Sequence, residues 1–243
     1  VGHSHFCAVV CDSTGNTQLH QELLNKEIPA MFNLPDIVHF ISNTIKDIVK
    51  LAYFQPTITT VRGVIKKFHQ SHPGITKLKA AHMICGIMKG FDAIGKTQFR
   101  TLIISAWSVQ VNVPVLKKIG FLTFFQDLAI NFHAGTQSSF NFEQILGYII
   151  KLGSPALKAL TCLESNEAIV GDIYIFWHAM IWAIKEELAH PFSEIPVNVK
   201  EQVLGILNAC HDQLFRKGNL VTSAKLYLSG AYLNPVYLKS DLF

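Results

Sequence analysis

Asp12 is the residue whose place in the sequence most suggests catalysis. It follows residues 5–11, a short apolar run whose β-branched residues predict a buried strand. In α/β folds, catalytic carboxylates lie at the carboxyl ends of such strands, so Asp12 is a candidate catalytic residue and ligand of Mg²⁺ or Mn²⁺. A capping role for the helix predicted over residues 17–27, or an Asx turn, is favoured by the spacing alone. One acid cannot hold two metal ions, and a two-metal nuclease needs at least two further carboxylates.

Glu164, Glu167 and Asp172 form the alternative metal site. In a helix over residues 155–189, Glu164 and Glu167 lie one turn apart, and carboxylates at that spacing can share a cation. No aspartate-rich run or second acidic helix accompanies them, so a solvated helix surface is the favoured explanation. His178, in the most apolar part of the same segment, is interpreted as a core histidine and not as a metal ligand.

Basic residues are concentrated between residues 62 and 100. This segment has eight basic residues against one acid, Asp92, a net charge of +7; since the whole chain totals +4, the remainder carries −3. Such a split is expected of a surface that faces phosphates, because binding releases the counterions condensed on nucleic acid. The alternative is an ordinary solvated helix surface. The candidate nucleic-acid-binding residues are Arg62, Lys66, Lys67, Lys77, Lys79, Lys89, Lys96 and Arg100.

Aromatic residues suggest a second kind of site. The chain has 17 Phe, 6 Tyr and 3 Trp, and apolar ligands bind between the helices of bundles. Trp107, Phe176, Trp177 and Trp182 are the candidate lining residues of such a pocket, with Glu164, Glu167 or Asp172 as polar or metal contacts. Ordinary core packing is the alternative for each of them.

The hydrophobic pattern predicts a mainly α fold, a helical bundle with a short α/β remnant at the N-terminus. Pro29 and Pro35 interrupt the chain after the first strand and helix, and all later segments have helical periodicity. Helices are predicted over residues 36–54, 56–72, 75–86, 97–119, 122–132, 140–152, 155–189, 198–217 and 221–232. The helix over residues 97–119 is expected to be bent or broken near Pro114. We expect residues 1–35 to form the remnant and residues 36–243 an all-helical domain that packs with it.

Composition excludes several classes of protein. Of the 243 residues, 16% are charged and 49% are hydrophobic, which excludes intrinsic disorder and predicts a well-buried core. The longest uncharged apolar stretches, residues 101–116 and 173–184, are shorter than a bilayer span, so no membrane partner is expected. Five cysteines and no apolar leader predict free thiols and an intracellular, nuclear or cytoplasmic, location. No GxSxG, GxxxxGKS/T, HExxH or GxGxxG motif occurs.

Six blocks of the sequence resemble transposases of the hAT superfamily, specifically the transposon-derived proteins of mushroom-forming fungi. They occur in the family's order, and the span from the first block to the last takes in nearly the whole chain. The blocks are CDSTGNT (11–17), DIVHFISNTIKDI (36–48), FHQSHPGITKLKAA (68–81), MKGFDAIGKTQFRTLIISAWSVQ (88–110), CLESNEAIVGDIYIFWHAM (162–180) and AYLNPVYLKSDLF (231–243).

The resemblance implies an RNase H-like catalytic domain that is interrupted by a large helical insertion. The family's DNA-cleaving site contains three acids that bind divalent metal, and Asp12 matches the second of them. His39 resembles the histidine of the family's Cys-x-x-His element, but Asp36 stands in place of the cysteine. Residues 97–101 resemble the TRFGT-like block, from which Gln98 and Arg100 depart.

The same resemblance implies that the metal site is incomplete. The strands of the first acid are expected before Val1 and the helix of the last acid after Phe243. Asp12 is therefore expected to be vestigial, and DNA strand transfer by this chain alone is not expected.

We therefore expect a catalytically incomplete, transposon-derived protein that binds nucleic acid or acts as an interaction module. The alternative is a repurposed helical protein that binds or converts an apolar small molecule. Self-association is a third expectation, because a truncated RNase H half would expose a sheet edge and an apolar face.

Overall fold

The computed structural model describes residues 7–12, 15–95, 99–119, 126–216 and 221–239. The protein is mainly helical, with a small two-stranded sheet close to the N-terminus of the described chain. The predicted fold class, a helical bundle with a short N-terminal α/β part, is confirmed.

The N-terminal part is a strand, a helix and a second strand: β1 (Ala8–Cys11), α1 (Gly15–Glu27) and β2 (Phe32–Pro35). The two strands pair in parallel, and Ala8 lies opposite Phe32. The second strand was not predicted, because the prolines that flank it are residues that usually break regular structure. Pro35 is tolerated because it is the last residue of an edge strand, where it need not donate a ladder hydrogen bond.

The helices follow the predicted periodicity closely in most places, and the predicted residues 221–232 match α10 at both ends. They are α2 (Ile37–Val49), α3 (Gln55–Gln70), α4 (His72–Cys85), α5 (Phe99–Ile119), α6 (Gln126–Ala129) with a 3₁₀ turn at Ile130–Phe132, α7 (Gln137–Leu163), α8 (Val170–Ala189), α9 (Val197–Phe215), α10 (Val221–Tyr232) and α11 (Pro235–Leu238).

Several predicted helix boundaries are wrong. The helix predicted to end at residue 54 ends at Val49, and α4 begins at His72 instead of residue 75. The largest errors concern α7 and α8. The predicted break between residues 152 and 155 is absent, since α7 runs through Pro155, where buried Leu152 and Ala156 pack the turns on either side. The predicted helix over residues 155–189 is instead divided by a turn between α7 and α8. There Ser165 and Asn166 favour a turn over a helix, and the Ala168 amide closes it by donating to the carbonyl of Ser165 at 3.1 Å.

The chain divides into two compact units: unit 1 comprises residues 1–44 and 158–243, and unit 2 comprises residues 45–157. In unit 1, Trp177 of α8 and Tyr227 of α10 are fully buried, and the ring of Phe40 lies 5.5 Å from that of Trp177. Strand β2 is tied to α10 by Ser223, whose hydroxyl donates to the carbonyl of Asn33 at 2.8 Å. The N-terminal α/β part therefore belongs to the same unit as α8 and α10.

Unit 2 is built around α5, which packs against α3 and α4. Its core is apolar and includes the fully buried side chains of Phe54, Val64, Val109, Leu116 and Leu146. That residues 1–35 are a truncated RNase H-like remnant and residues 36–243 an all-helical domain stays a prediction.

Two helices, α5 and α7, are long and apolar enough to cross a membrane by length and composition alone. Core helices of folded domains meet the same criterion, and 61% of the α5 window is buried inside the protein. The absence of a membrane partner stays a prediction.

Gly171 is predicted to be essential for the packing of α8 on α10. A Cβ atom at this position would lie 2.5 Å from the carbonyl carbon of Gly230 and 2.6 Å from the amide nitrogen of Ala231. Because these are backbone atoms, the helices must separate, and Gly171→Ala should lower the free energy of unfolding by about 1–3 kcal/mol in chemical denaturation.

Gly205→Ala is the matched control for this prediction. Gly205 lies within α9, and a Cβ there would meet no atom within 4 Å. The substitution should therefore stabilise the protein by about 0.5–1 kcal/mol, since alanine has the higher helix propensity. Equal effects of the two substitutions would contradict the packing described for α8 and α10.

Candidate functional site

The helix pair α3–α4 carries most of the predicted basic surface. Pro56 lies in the first turn of α3. Proline has no backbone N–H group, but an N–H group in the first turn would have no acceptor within the helix, so proline favours a helix start there. Ser71 is the single non-helical residue between the two helices, and its hydroxyl accepts the amide of Gly74 at 3.1 Å, capping α4. Gly86 ends α4 in the left-handed conformation, at φ 66°, which glycine adopts without strain.

One side of this helix pair faces the core of unit 2. In α3 the buried side chains recur at helical spacing and include Ile58, Val61, Ile65 and Phe68, and in α4 they are Leu78 and Ala81. Apolar residues on one face force the charged residues between them toward the other. The sequence pattern of these two helices is therefore sufficient to place their basic residues at the solvent.

Arg62 and Lys66 are exposed one helical turn apart on α3, and Lys77 and Lys79 are exposed on α4. Lys67 is half-buried. The sequence contains no Asp or Glu between residues 48 and 91, so neither helix carries an acid that could neutralise these cations. Within the described residues, Arg62, Lys66 and Lys79 form no ion pair.

The other three predicted basic residues are placed differently. Lys89 is half-buried, and its Nζ lies 2.7 Å from Asp92 Oδ2 and 5.4 Å from the centroid of the Trp107 ring. Its charge is thus largely compensated within the protein. Arg100 is half-buried in the first turn of α5, and Lys96 lies outside the described residues.

A buried polar stripe on α5 positions the end of α4 and the segment that follows it. Ser105, Ser108 and Asn112 are fully buried and lie on one helical face. The hydroxyl of Ser105 donates to the carbonyl of Asp92 at 3.0 Å, and the amide of Asp92 donates to the hydroxyl of Ser108 at 3.0 Å. The amide group of Asn112 donates to the carbonyl of Lys89 at 2.9 Å. These three residues were not singled out from the sequence, although their i, i+3, i+7 spacing is typical of one buried face.

Asn112 also connects α4 directly to α5. Its Oδ1 lies 2.6 Å from Nε2 of His82. Since the Asn112 amide nitrogen already donates to two carbonyls, those of Lys89 and Ser108, its oxygen is the acceptor and His82 Nε2 is the donor. One buried side chain therefore fixes the last turn of α4 and the first residues after it.

Asp12 lies between β1 and α1, as the sequence predicted. Its Oδ1 and its carbonyl oxygen accept the Thr17 hydroxyl at 2.9 and 2.7 Å, which ties it to the first turns of α1. Asp36 accepts the amide of His39 at 3.1 Å, the geometry of a cap at the start of α2. Among the residues that the structure describes, no group of three or more His, Cys, Asp or Glu side chains could hold a metal ion. The vestigial metal-binding role of Asp12 stays a prediction.

The three acids of the alternative metal site, Glu164, Glu167 and Asp172, do not lie on one helix as predicted. Glu164 and Glu167 are exposed and lie in the turn between α7 and α8, so they are not one helical turn apart. Asp172 is in the first turn of α8, where its Oδ2 accepts the amide of Ile169 at 2.9 Å. Its Oδ1 accepts the hydroxyl of Tyr237, and burial together with this hydrogen bond raises the pKa of Tyr237 to about 12.

The four aromatic residues predicted to line an apolar pocket have different environments. Trp107 belongs to unit 2 and is 47% exposed. In unit 1, Trp177 is fully buried in the core and Trp182 is 62% exposed, and Phe176 is half-buried. The cavities of about 550 and 640 Å³ in the described parts of the two units are lined by other residues. The apolar pocket therefore stays a prediction.

Comparison with known proteins returns no matching protein-family model, no matching curated protein and no matching solved structure. The resemblance to hAT transposases therefore stays a prediction, as do the DNA, small-molecule and self-association partners expected from the sequence.

Asn112→Leu is predicted to destabilise unit 2. The substitution removes the hydrogen bonds to Lys89 and His82 and leaves polar groups without partners, which costs about 1–3 kcal/mol in the free energy of unfolding. Amide hydrogen exchange should also accelerate at residues 87–95. The matched control is Gln110→Leu, at an exposed position of the same helix, and it should change neither quantity appreciably. Normal exchange at residues 87–95 in Asn112→Leu would contradict the positioning role.

Proposed function

We propose that the protein binds nucleic acid through the solvent-facing side of α3 and α4. The observation that carries this proposal is the set of exposed cations Arg62, Lys66 and Lys79, which lie on two adjacent helices without acids and form no ion pair within the described residues. Exposed cations of this kind repel one another unless a polyanion neutralises them.

The physical basis of binding is contact with phosphates. Lysine and arginine side chains displace the counterions condensed on the nucleic-acid backbone, and the entropy of their release supplies most of the affinity. Contacts of this kind position a protein on the backbone but do not discriminate between base sequences. The proposed activity is therefore sequence-independent binding, and it includes no cleavage step.

The proposed transposon origin is compatible with this activity. In the hAT resemblance, the helical insertion lies near DNA, and α3 and α4 fall within the segment that resembles it. A descendant that kept the helical part could keep backbone binding without the metal site. This proposed origin adds to the argument from charge and does not carry it.

The proposal predicts a specific salt dependence. Binding of a short DNA duplex to the full chain, measured by fluorescence anisotropy at several salt concentrations, should weaken steeply as salt rises. Replacing Arg62, Lys66 and Lys79 by Gln should lower the slope of log affinity against log salt by about 2.7, because each lost phosphate contact contributes about 0.9. The loss should be the same for unrelated duplex sequences.

A matched triple variant controls for total charge. Lys26, Lys118 and Lys158 are exposed and lie outside α3 and α4, so replacing them by Gln removes the same charge elsewhere. This control should retain most of the slope. No binding at low salt would overturn the proposal, and equal effects of the two triple variants would show that binding depends on net charge and not on the α3–α4 surface.

A further inference from the structure

A cavity of about 550 Å³ lies between α8 and α9 in unit 1. His178, which the sequence predicted to be a core histidine, lies in its wall. The cavity is lined on one side by His178 and Lys185 and on the other by Asn208, His211, Asp212 and Arg216. Residues 178 and 185 are seven apart on α8, and residues 208, 211 and 212 are three or four apart on α9. These spacings place each set on one helical face.

The charge of this cavity is positive. Lys185 and Arg216 contribute two cations, and Asp212 is the single acid in the lining. Its Oδ1 lies 3.5 Å from Arg216 Nη1 and 3.8 Å from His211 Nδ1, so it orients these two groups without neutralising the set. The net charge of the lining is +1 with both histidines neutral and +3 with both protonated.

An aromatic ring holds the two imidazoles in place. The centroid of Phe215 lies 5.4 Å from that of His178 and 5.1 Å from that of His211, and the two imidazoles are 5.5 Å apart. The ring centroid of Tyr174 lies 4.4 Å from that of His178, with the two rings tilted by 54°. Because an aromatic face attracts a cation, Phe215 supports the protonated form of either histidine when an anion is present.

The surroundings of His178 disfavour a charge on its imidazole. Burial lowers its pKa, and the neighbouring His211 and Lys185 lower it further. The titratable and charged groups facing it are Tyr174 and Lys185 on its own helix and His211, Asp212 and Arg216 across the cavity. Helix α10 packs against both helices and has three ionisable side chains, of which Lys225 and Tyr232 are exposed and Tyr227 is buried.

We propose that this cavity binds the phosphate group of a phosphorylated small molecule. A phosphomonoester offers a double negative charge and several acceptor oxygens, and the lining offers N–H donors from two imidazoles, an amide, an ammonium and a guanidinium. The cavity volume falls within the range of about 300–1,000 Å³ that is typical of small-molecule sites. It exceeds what a phosphate group fills, so it leaves room for an organic moiety.

The test is a titration of the full chain with adenosine monophosphate, inorganic phosphate and acetate, followed by calorimetry and by the imidazole NMR resonances. Adenosine monophosphate should bind saturably and more tightly than inorganic phosphate, and acetate should not bind. The pKa of His178 should be higher in the complex, because the bound anion offsets the repulsion from Lys185 and His211. His178→Gln and His211→Gln assign the two resonances.

Two variants make the test specific. Lys185→Gln with Arg216→Gln removes both permanent cations at exposed positions and should weaken binding at least about tenfold. Lys225→Gln, an exposed lysine of α10, should leave it unchanged. Neither variant should alter duplex binding, which is assigned to α3 and α4, so the failure of one proposal is distinguishable from that of the other.

Four outcomes would overturn the proposal. The first three are the absence of saturable binding at millimolar concentration, equal binding by the double variant, and equal binding of all three ligands. Equal affinity for inorganic phosphate and adenosine monophosphate would show that the organic moiety plays no part, which would equally overturn a site for a phosphorylated small molecule.

Discussion

Three polar side chains in an otherwise apolar helix constrain the part of the protein that carries the proposed function. Ser105, Ser108 and Asn112 are fully buried on α5, and a buried polar group without a partner costs free energy of the same order as a large cavity. They are satisfied by the backbone that follows α4 and by His82. This requirement places α4 and its basic residues in one defined orientation on α5.

The orientation matters because the charges act together. Lys89 is paired with Asp92 inside the protein, and a cation paired in this way attracts a phosphate only weakly. The exposed cations of α3 and α4 have no acid in either helix to pair with. Basic groups also outnumber acids in the cavity of unit 1, whose lining includes one acid, Asp212, two permanent cations and two imidazoles. Both proposals therefore depend on sites in which basic groups outnumber acids.

Much of the fold could be predicted from the sequence, because amphipathic periodicity is local. The helices and the exposure of most basic residues of α3 and α4 follow from the spacing of apolar residues within one helix. Strand β2 could not be predicted, because its pairing partner lies across α1 and its own residues end in a proline. The α8–α9 cavity was missed for the same reason: His178 and His211 lie on different helices, and only packing brings them within 5.5 Å.

The most direct test of the central claim is a map of where nucleic acid contacts the chain. Amide resonances of the full protein would be followed by NMR while a short DNA duplex is added at low salt. The account predicts shifts concentrated in residues 55–85, reversed when salt is raised. Shifts confined to other helices, or none within residues 55–85, would contradict it.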